Sequence, residues 1–152
     1  MNNIVIDGIV GRPSKDQYFL KMARLTSTRG TCARRKVGCV LINVHGHVQA
    51  TGYNGTPAGF PHCIDDPCPG HDLPSGTGLD ECEAIHAEQN ALLQCHDVQS
   101  IYTAYCTASP CVTCTKLLLN TSCQRIVFLE AYPDSEKSRR LWERAGREWL
   151  QM

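Results

Sequence analysis

Ile85-His86-Ala87-Glu88-Gln89-Asn90-Ala91-Leu92-Leu93-Gln94 is a run of good helix formers, with Ala87, Ala91 and Leu92 on adjoining faces. It is followed by a short strand at 101–105, a second helical run at 111–119, a strand at 125–129, an amphipathic helix at 135–145 and a last short strand at 148–151. Strands that alternate with single helices are joined by crossovers, which places helices against the sheet. Upstream, the aliphatic and β-branched run from Val37 to Val44 turns near Gly46 and returns through 48–51 as an antiparallel partner. Before that, Ser14 and Gln17 form a capping box just after Pro13, and Tyr18, Met22 and Leu25 recur at helical spacing over 14–27. The order α-β-β-α-β-α-β-α-(β) predicts an α/β fold with a mixed sheet and helices on both faces.

At 152 residues the chain fits one domain over 1–152, so a single principal site is expected. Hydrophobic content of 42% and charged content of 20% are those of a soluble protein, and no run approaches the ~18 apolar residues of a membrane span. The start, Met1-Asn2-Asn3-Ile4-Val5-Ile6-Asp7, has neither the basic residues nor the apolar run of a secretory leader. A cytoplasmic location is expected, in the host cytosol if the protein is viral. Ten cysteines come with six histidines and no export signal, which favours metal ligation over a disulfide framework. A formal net charge of zero provides no field to hold a polyanion, so small substrates are expected rather than nucleic acid. The local basic cluster, Arg29 with Arg34-Arg35-Lys36, is either a solvated face or a phosphate contact.

Residues 52–78 carry half of the glycines and most of the prolines and read as one long loop. A loop of this length in so small a domain is functional or pinned. It holds His62, Cys63, Cys68 and His71, with Cys82 just beyond, so a second metal clip is the natural pin.

The chemistry concentrates at the two helix starts. His86 opens one helix, and Cys111 and Cys114 lie one turn apart at the start of the next, just behind Pro110, with both sulfurs pointing the same way. If the helices are neighbours across the sheet, their N-termini converge and their dipoles stabilise thiolates and other negative charge at a metal. One histidine and two cysteines leave the fourth position of a tetrahedral zinc open for water, the arrangement of a catalytic site. Glu88 sits two residues from a ligand without being needed as one, and two thiolates make zinc a weaker acid, so a positioned proton carrier is required. His-x-Glu followed by Pro-Cys-x-x-Cys is the signature of zinc-dependent base deaminases. The structural alternative is a closed zinc site or a buried Cys-x-x-Cys.

Along nearly all of residues 18–132 the chain resembles the deoxycytidylate (dCMP) deaminases of the phage and bacterial type, within the cytidine deaminase superfamily. The resemblance rests on Arg29-Gly30-Thr31-Cys32 leading to Val37-Gly38, on 50–59, on His86 to Leu92, and on Ser109-Pro110-Cys111 through Cys114 and Lys116. It implies a three-layer α/β/α sandwich with a five-stranded sheet, and hydrolysis of dCMP to dUMP and ammonia, supplying dUMP for thymidylate synthesis. It implies that His86, Cys111 and Cys114 hold the catalytic zinc and that Glu88 protonates N3 and then the departing amine. The Ala87 N–H and the Ser109 carbonyl would hold the ring, with Asn54 at the sugar, Tyr132 near the sugar and phosphate, and Arg34 as the phosphate contact. It further implies a second, structural zinc on Cys32, Cys63, His71 and Cys82, with Cys68 and His62 also within reach by sequence. Cys39, Cys95, Cys106 and Cys123 lie in apolar surroundings and read as core.

Regulated members of the family are homohexamers activated by dCTP and inhibited by dTTP, with effectors at subunit interfaces near a Gly-Tyr-Asn-Gly loop. This sequence keeps that loop, so Gly52, Tyr53, Gly55 and Gly59 are the expected effector residues. Two other readings compete: a deaminase of dCTP or another cytosine nucleotide, and a structural zinc module that binds a partner without turnover.

Overall fold

Helix α1 (Lys15–Ser27) starts where Ser14 Oγ accepts the Gln17 N–H at 3.1 Å and Gln17 Oε1 accepts the Ser14 N–H at 2.9 Å, which is the expected capping box. In this computed structural model, residues 5, 6, 8–78 and 81–152 are described. The buried stripe of α1 is Phe19, Leu20 and Ala23, whereas Tyr18 and Leu25 are 50% and 71% exposed. Of the expected stripe, Met22 packs partly buried against this core, while at Tyr18 and Leu25 the buried face is displaced by about one residue. Both sets satisfy the helical period, and the sheet selects the one with small Ala23 at its centre. There, a Cβ on Gly38 would lie 2.0 Å from the Ala23 carbonyl oxygen, so helix and strand touch backbone to backbone.

Strand β3 (Gly38–Ile42) pairs antiparallel with β4 (Val48–Tyr53) and also with β5 (Thr103–Ala108). Strands β5, β6 (Arg125–Glu130) and β7 (Glu148–Gln151) run parallel, giving a five-stranded sheet in the order β4-β3-β5-β6-β7. A 3-10 turn, Val98–Ser100, leads into β5, and the connections after it are α3 (Val112–Leu119) and α4 (Ser135–Arg144). A two-stranded ribbon of β1 (Val5–Ile6) and β2 (Ile9–Val10) stands apart from this sheet; two-residue strands are too short for an alternating pattern to reveal.

Because successive strand residues face opposite ways, the sheet builds two cores. Val40, Ile42, Tyr105 and Val127 pack against Phe19, Leu20 and Ala23 of α1. Cys39, Leu41, Ala104, Cys106, Ile126 and Phe128 face α2 (Ala87–Gln94), α3 and α4 through Ala87, Ala91, Leu118 and Trp142. The result is the expected α/β/α three-layer sandwich. Of the four cysteines read as core, Cys39, Cys106 and Cys123 are buried, and Cys95 at the end of α2 is only partly so. Among the described residues no helix is long and apolar enough to cross a membrane.

Two contacts set the geometry at the sheet's working edge. The hairpin runs further than expected, so Gly52 is a strand residue opposite Cys39 rather than the start of the loop. A Cβ there would come within 2.3 Å of the Ala87 carbonyl oxygen and 2.4 Å of the Ala91 nitrogen, so a glycine lets α2 lie directly on β4. Beyond it, Gly55 and Ile85 exchange both backbone hydrogen bonds, at 3.1 and 2.8 Å, closing the long loop and delivering the chain to His86.

On the opposite face, Asp16 of α1 accepts hydrogen bonds from Tyr105 Oη at 2.6 Å and from Arg125 at 3.2 and 3.3 Å. Burial pushes the Asp16 carboxyl up, but the hydrogen bonds from Arg125 and Tyr105 more than offset it and leave the carboxyl below its usual range. A carboxylate with a lowered folded pKa stabilises the fold above its unfolded pKa, near 4, and that contribution is lost as pH falls through the folded value. Asp16→Asn should therefore lower the Tm at pH 7 and narrow its gap from the parent protein below about pH 4, as thermal unfolding across pH would show.

Candidate active site

The two helices predicted to carry the chemistry do converge. His86 is the N-cap residue of α2 and Cys111 that of α3, with Cys114 in the first turn. The His86 backbone N–H is held by Gln89 Oε1 at 2.9 Å, and Cys111 Sγ accepts the Cys114 N–H at 3.5 Å. His86 Nδ1 lies 3.4 Å from both sulfurs, and the three donor atoms lie within 4.8 Å of one another. Zinc–nitrogen bonds of about 2.0–2.1 Å and zinc–sulfur bonds of about 2.3 Å at tetrahedral angles would separate N from S by about 3.5 Å. The donor set and its spacing fit that ion.

The electrostatics agree. A hydrogen bond from Cys114, with burial opposing, brings the Cys111 thiol down to about 4, and His86 adds to the effect. Cys111 and burial together push Cys114 up, so a cation among the three donors is what would let both sulfurs ionise. His86 is raised, first by its hydrogen bond with Cys111, against the effect of burial.

Glu88, one residue into α2, is 4% exposed and faces the same pocket. Burial raises its carboxyl above the ordinary range, while its own backbone N–H and the nearby His86 pull the other way. A buried carboxyl poised above its usual value beside a metal-type cluster is suited to accept and return a proton.

The remaining expected residues fall into place unevenly. Ala87, Ser109, Asn54, Tyr132 and Arg34 all line the pocket. Asn54 is buried, and its side chain clamps the strand that leads into β3: Oδ1 accepts the Val37 N–H at 2.8 Å and Nδ2 donates to the Arg35 carbonyl at 2.6 Å. Its φ is not positive, so it is no left-handed turn residue. Ser109 Oγ accepts the Tyr132 N–H at 2.8 Å and so ties the end of β5 to the segment after β6. Arg34 donates through Nη1 to the carbonyls of Leu73, Pro74 and Thr77, at 3.3, 3.1 and 2.8 Å. Arg35 and Ser75 also line the pocket, and Ser75 was not singled out in the sequence. Arg35 was visible only as part of a basic run, and nothing local separates its direction from that of Arg34.

The second expected ligand set is less compact. Cys63 Sγ accepts the Cys68 N–H at 3.4 Å, the Cys68 thiol lies within hydrogen-bond reach of Cys63 and Cys82, and Cys82 is close to Cys32. His71 has Nδ1 2.8 Å from the Cys68 carbonyl and Nε2 2.9 Å from Asp72. His62 is exposed beside Asp65. Among the described residues, His86, Cys111 and Cys114 form the cluster of three donors that closes within 4.8 Å. Of the expected effector residues, Gly52 and Gly55 are buried, while Tyr53 and Gly59 are exposed.

Comparison with known proteins agrees with this geometry. The chain is 38% identical over 137 residues to the deoxycytidylate deaminase of Saccharomyces cerevisiae, which covers 89% of this chain and 44% of the yeast protein. It is 39% identical to the deoxycytidylate deaminase of Mycobacterium phage D29, covering 78% of this chain and 97% of the phage protein. The chain thus spans less than half of its fungal relatives and nearly all of that phage one. The crystal structure of the dCMP deaminase of cyanophage S-TIM5 in complex with dCMP and dUMP superimposes with a TM-score of 0.71 at 26% identity, over 93% of this chain and 99% of that one. The family model for the cytidine and deoxycytidylate deaminase zinc-binding region matches residues 13–130, a span that includes every residue of the His86, Glu88, Cys111 and Cys114 constellation, and the chain belongs to that family.

Proposed function

We propose that this chain hydrolyses dCMP to dUMP and ammonia. The observation that carries the reading is the buried Glu88 carboxyl in one pocket with His86 and Cys111 of the donor cluster and with Arg34, Arg35 and Tyr132. A cytosine seated with C4 toward the cluster projects its sugar and phosphate toward the cationic rim. The homologous phage enzyme bound to dCMP and dUMP supports the choice of substrate.

His86, Cys111 and Cys114 would hold the zinc, which when bound supplies a Lewis acid that makes water nucleophilic near neutral pH. Glu88 takes the proton of the attacking water and places it on N3 of the ring. As the C4 carbonyl forms, the same carboxyl carries the proton it releases to the departing amine, so that ammonia leaves and N3 keeps its hydrogen. The Ala87 N–H, in the first turn of α2, has no intrahelical partner and is available to the ring. With the Ser109 carbonyl it would orient the base, while Asn54 and Tyr132 border the sugar.

Glu88→Gln should keep fold and zinc content and lose at least about 100-fold in kcat on dCMP, the usual scale of a general acid–base. Unchanged ammonia release would overturn the reading, and a zinc-loaded parent protein inert toward dCMP, dCTP and deoxycytidine alike would favour a structural zinc module. The second zinc belongs to the same proposal, on the Cys32, Cys63, His71 and Cys82 set with Cys68 beside it. Metal analysis should find two zinc ions per chain, falling to one in Cys63→Ser.

Regulation is proposed on the family resemblance, with dCTP activating, dTTP inhibiting and a homohexamer placing Tyr53 and Gly59 at subunit contacts. Initial rates should then show dCTP lowering the half-saturating dCMP concentration. Hyperbolic kinetics indifferent to dCTP would remove this part of the proposal.

A further inference from the structure

Helix α2 starts at His86 and carries Glu88, so where it sits on the sheet decides whether that carboxyl meets a base bordered by Asn54. Gly52 lets the helix lie flat on β4, but packing against a glycine has no direction and leaves the helix free to roll or slide. One contact across this seam does have direction. Asn90 Nδ2 donates to the Tyr53 carbonyl at 2.8 Å, while the Asn90 backbone N–H donates to the His86 carbonyl at 2.9 Å. A single residue thus ties the histidine of the donor cluster to the strand that leads into Asn54. The acceptor is placed for this. The Asn54 N–H bonds the Val37 carbonyl at 3.2 Å, so by the alternation of an antiparallel pair the Tyr53 carbonyl points away from β3. Among the described residues β4 is the outer strand of the sheet, which leaves that carbonyl to Asn90. Asparagine is a poor residue for the middle of a helix, because its short amide competes with the backbone. Here the amide's reach to the strand, not helix propensity, accounts for it.

Building on the dCMP reading, we propose that Asn90 is a positioning residue for the catalytic helix: its bridge fixes α2 against β4 and so sets the Glu88 carboxyl relative to the ring that Asn54 and Tyr132 border. Within α2 the His86 N–H is already held by Gln89, so the helix start moves as one body. The Asn90 tether adds to the Gly55–Ile85 bridge a second fixed point, one turn further along. Two points fix a direction where one leaves a hinge. The Asn90–Tyr53 bond is reached by solvent, so its net worth to stability is small and its value lies in orientation. Asn54 and Tyr132 lie off α2, so loosening the helix costs turnover more than binding.

Asn90→Ala removes the bridge and supplies a better helix former, so its Tm should stay within about 2 °C of the parent. Its kcat on dCMP should nonetheless fall about tenfold, the scale of a small misplacement of a reacting group, with dUMP affinity by calorimetry changed less than about twofold. Asn90→Gln, which keeps an amide donor, should recover part of the rate, and Asn90→Asp, which sets a carboxylate against the carbonyl, should not. Transfer of zinc from the loaded protein to a chromogenic chelator reads the same tether without turnover, because His86 sits at the helix start. It should run about tenfold faster in Asn90→Ala. An unchanged kcat in Asn90→Ala would overturn the inference, as would a loss of rate that tracks a lowered Tm in both Asn90→Ala and Asn90→Gln. Should the zinc-loaded parent prove inert toward dCMP, the deaminase reading falls and the chelator decides alone: faster release in Asn90→Ala upholds the tether, and equal release overturns it.

Discussion

Two helix N-termini meeting at one edge of the sheet are the constraint from which the rest follows. Their starts place one imidazole nitrogen 3.4 Å from each of two sulfurs, and the backbone dipoles of α2 and α3 favour negative charge there. Such a meeting requires that α2 lie flat on β4 and that the chain enter it at a fixed point. Gly52 meets the first requirement by removing a side chain that would strike Ala87 and Ala91, and the Gly55–Ile85 bridge meets the second. The buried glutamate comes with this geometry, because a residue two beyond an N-cap ligand faces the pocket rather than solvent.

The sheet explains why the site lies where it does. Parallel strands β5 and β6 end there, β3 begins there and β4 finishes there, so four loops and two helix starts are brought to one edge. Ligands in α/β sheets bind outside the carboxyl ends of parallel strands for this reason. Polar groups at that edge cross-link the loops before any substrate arrives: Asn54 holds Arg35 and Val37, Ser109 holds Tyr132, and Arg34 holds 73–77. A pocket fixed in this way loses little further order on binding, which is how positioning lowers a barrier.

Some of the site residues carry a structural duty as well. Asn54 has one carbonyl oxygen and two amide hydrogens; the loop takes the oxygen and one hydrogen, leaving capacity toward the pocket. Gly52 is explained by close packing on the α2 backbone, and Gly55 by the Thr31 side chain, whose Oγ1 would lie 2.7 Å from a Cβ there. A glycine-rich loop can thus owe its composition to packing while its exposed members, Tyr53 and Gly59, remain free for other contacts.

By itself the sequence determined what depends on neighbours along the chain: the capping box of α1, the succession of helices and strands, the mixed sheet, and the i, i+3 cysteine pair at a helix start behind Pro110. These are local because propensity, capping and spacing act within a turn or two. Tertiary structure decided what depends on direction. It chose Phe19, Leu20 and Ala23 as the buried stripe of α1, set the His71 ring between the Cys68 carbonyl and Asp72, and sent Arg34 to loop carbonyls and Arg35 to Tyr132 and Glu130. Adjacent residues in an irregular segment share no period, so the partners of two neighbouring arginines that both line the pocket are settled only by what the folded chain brings to each.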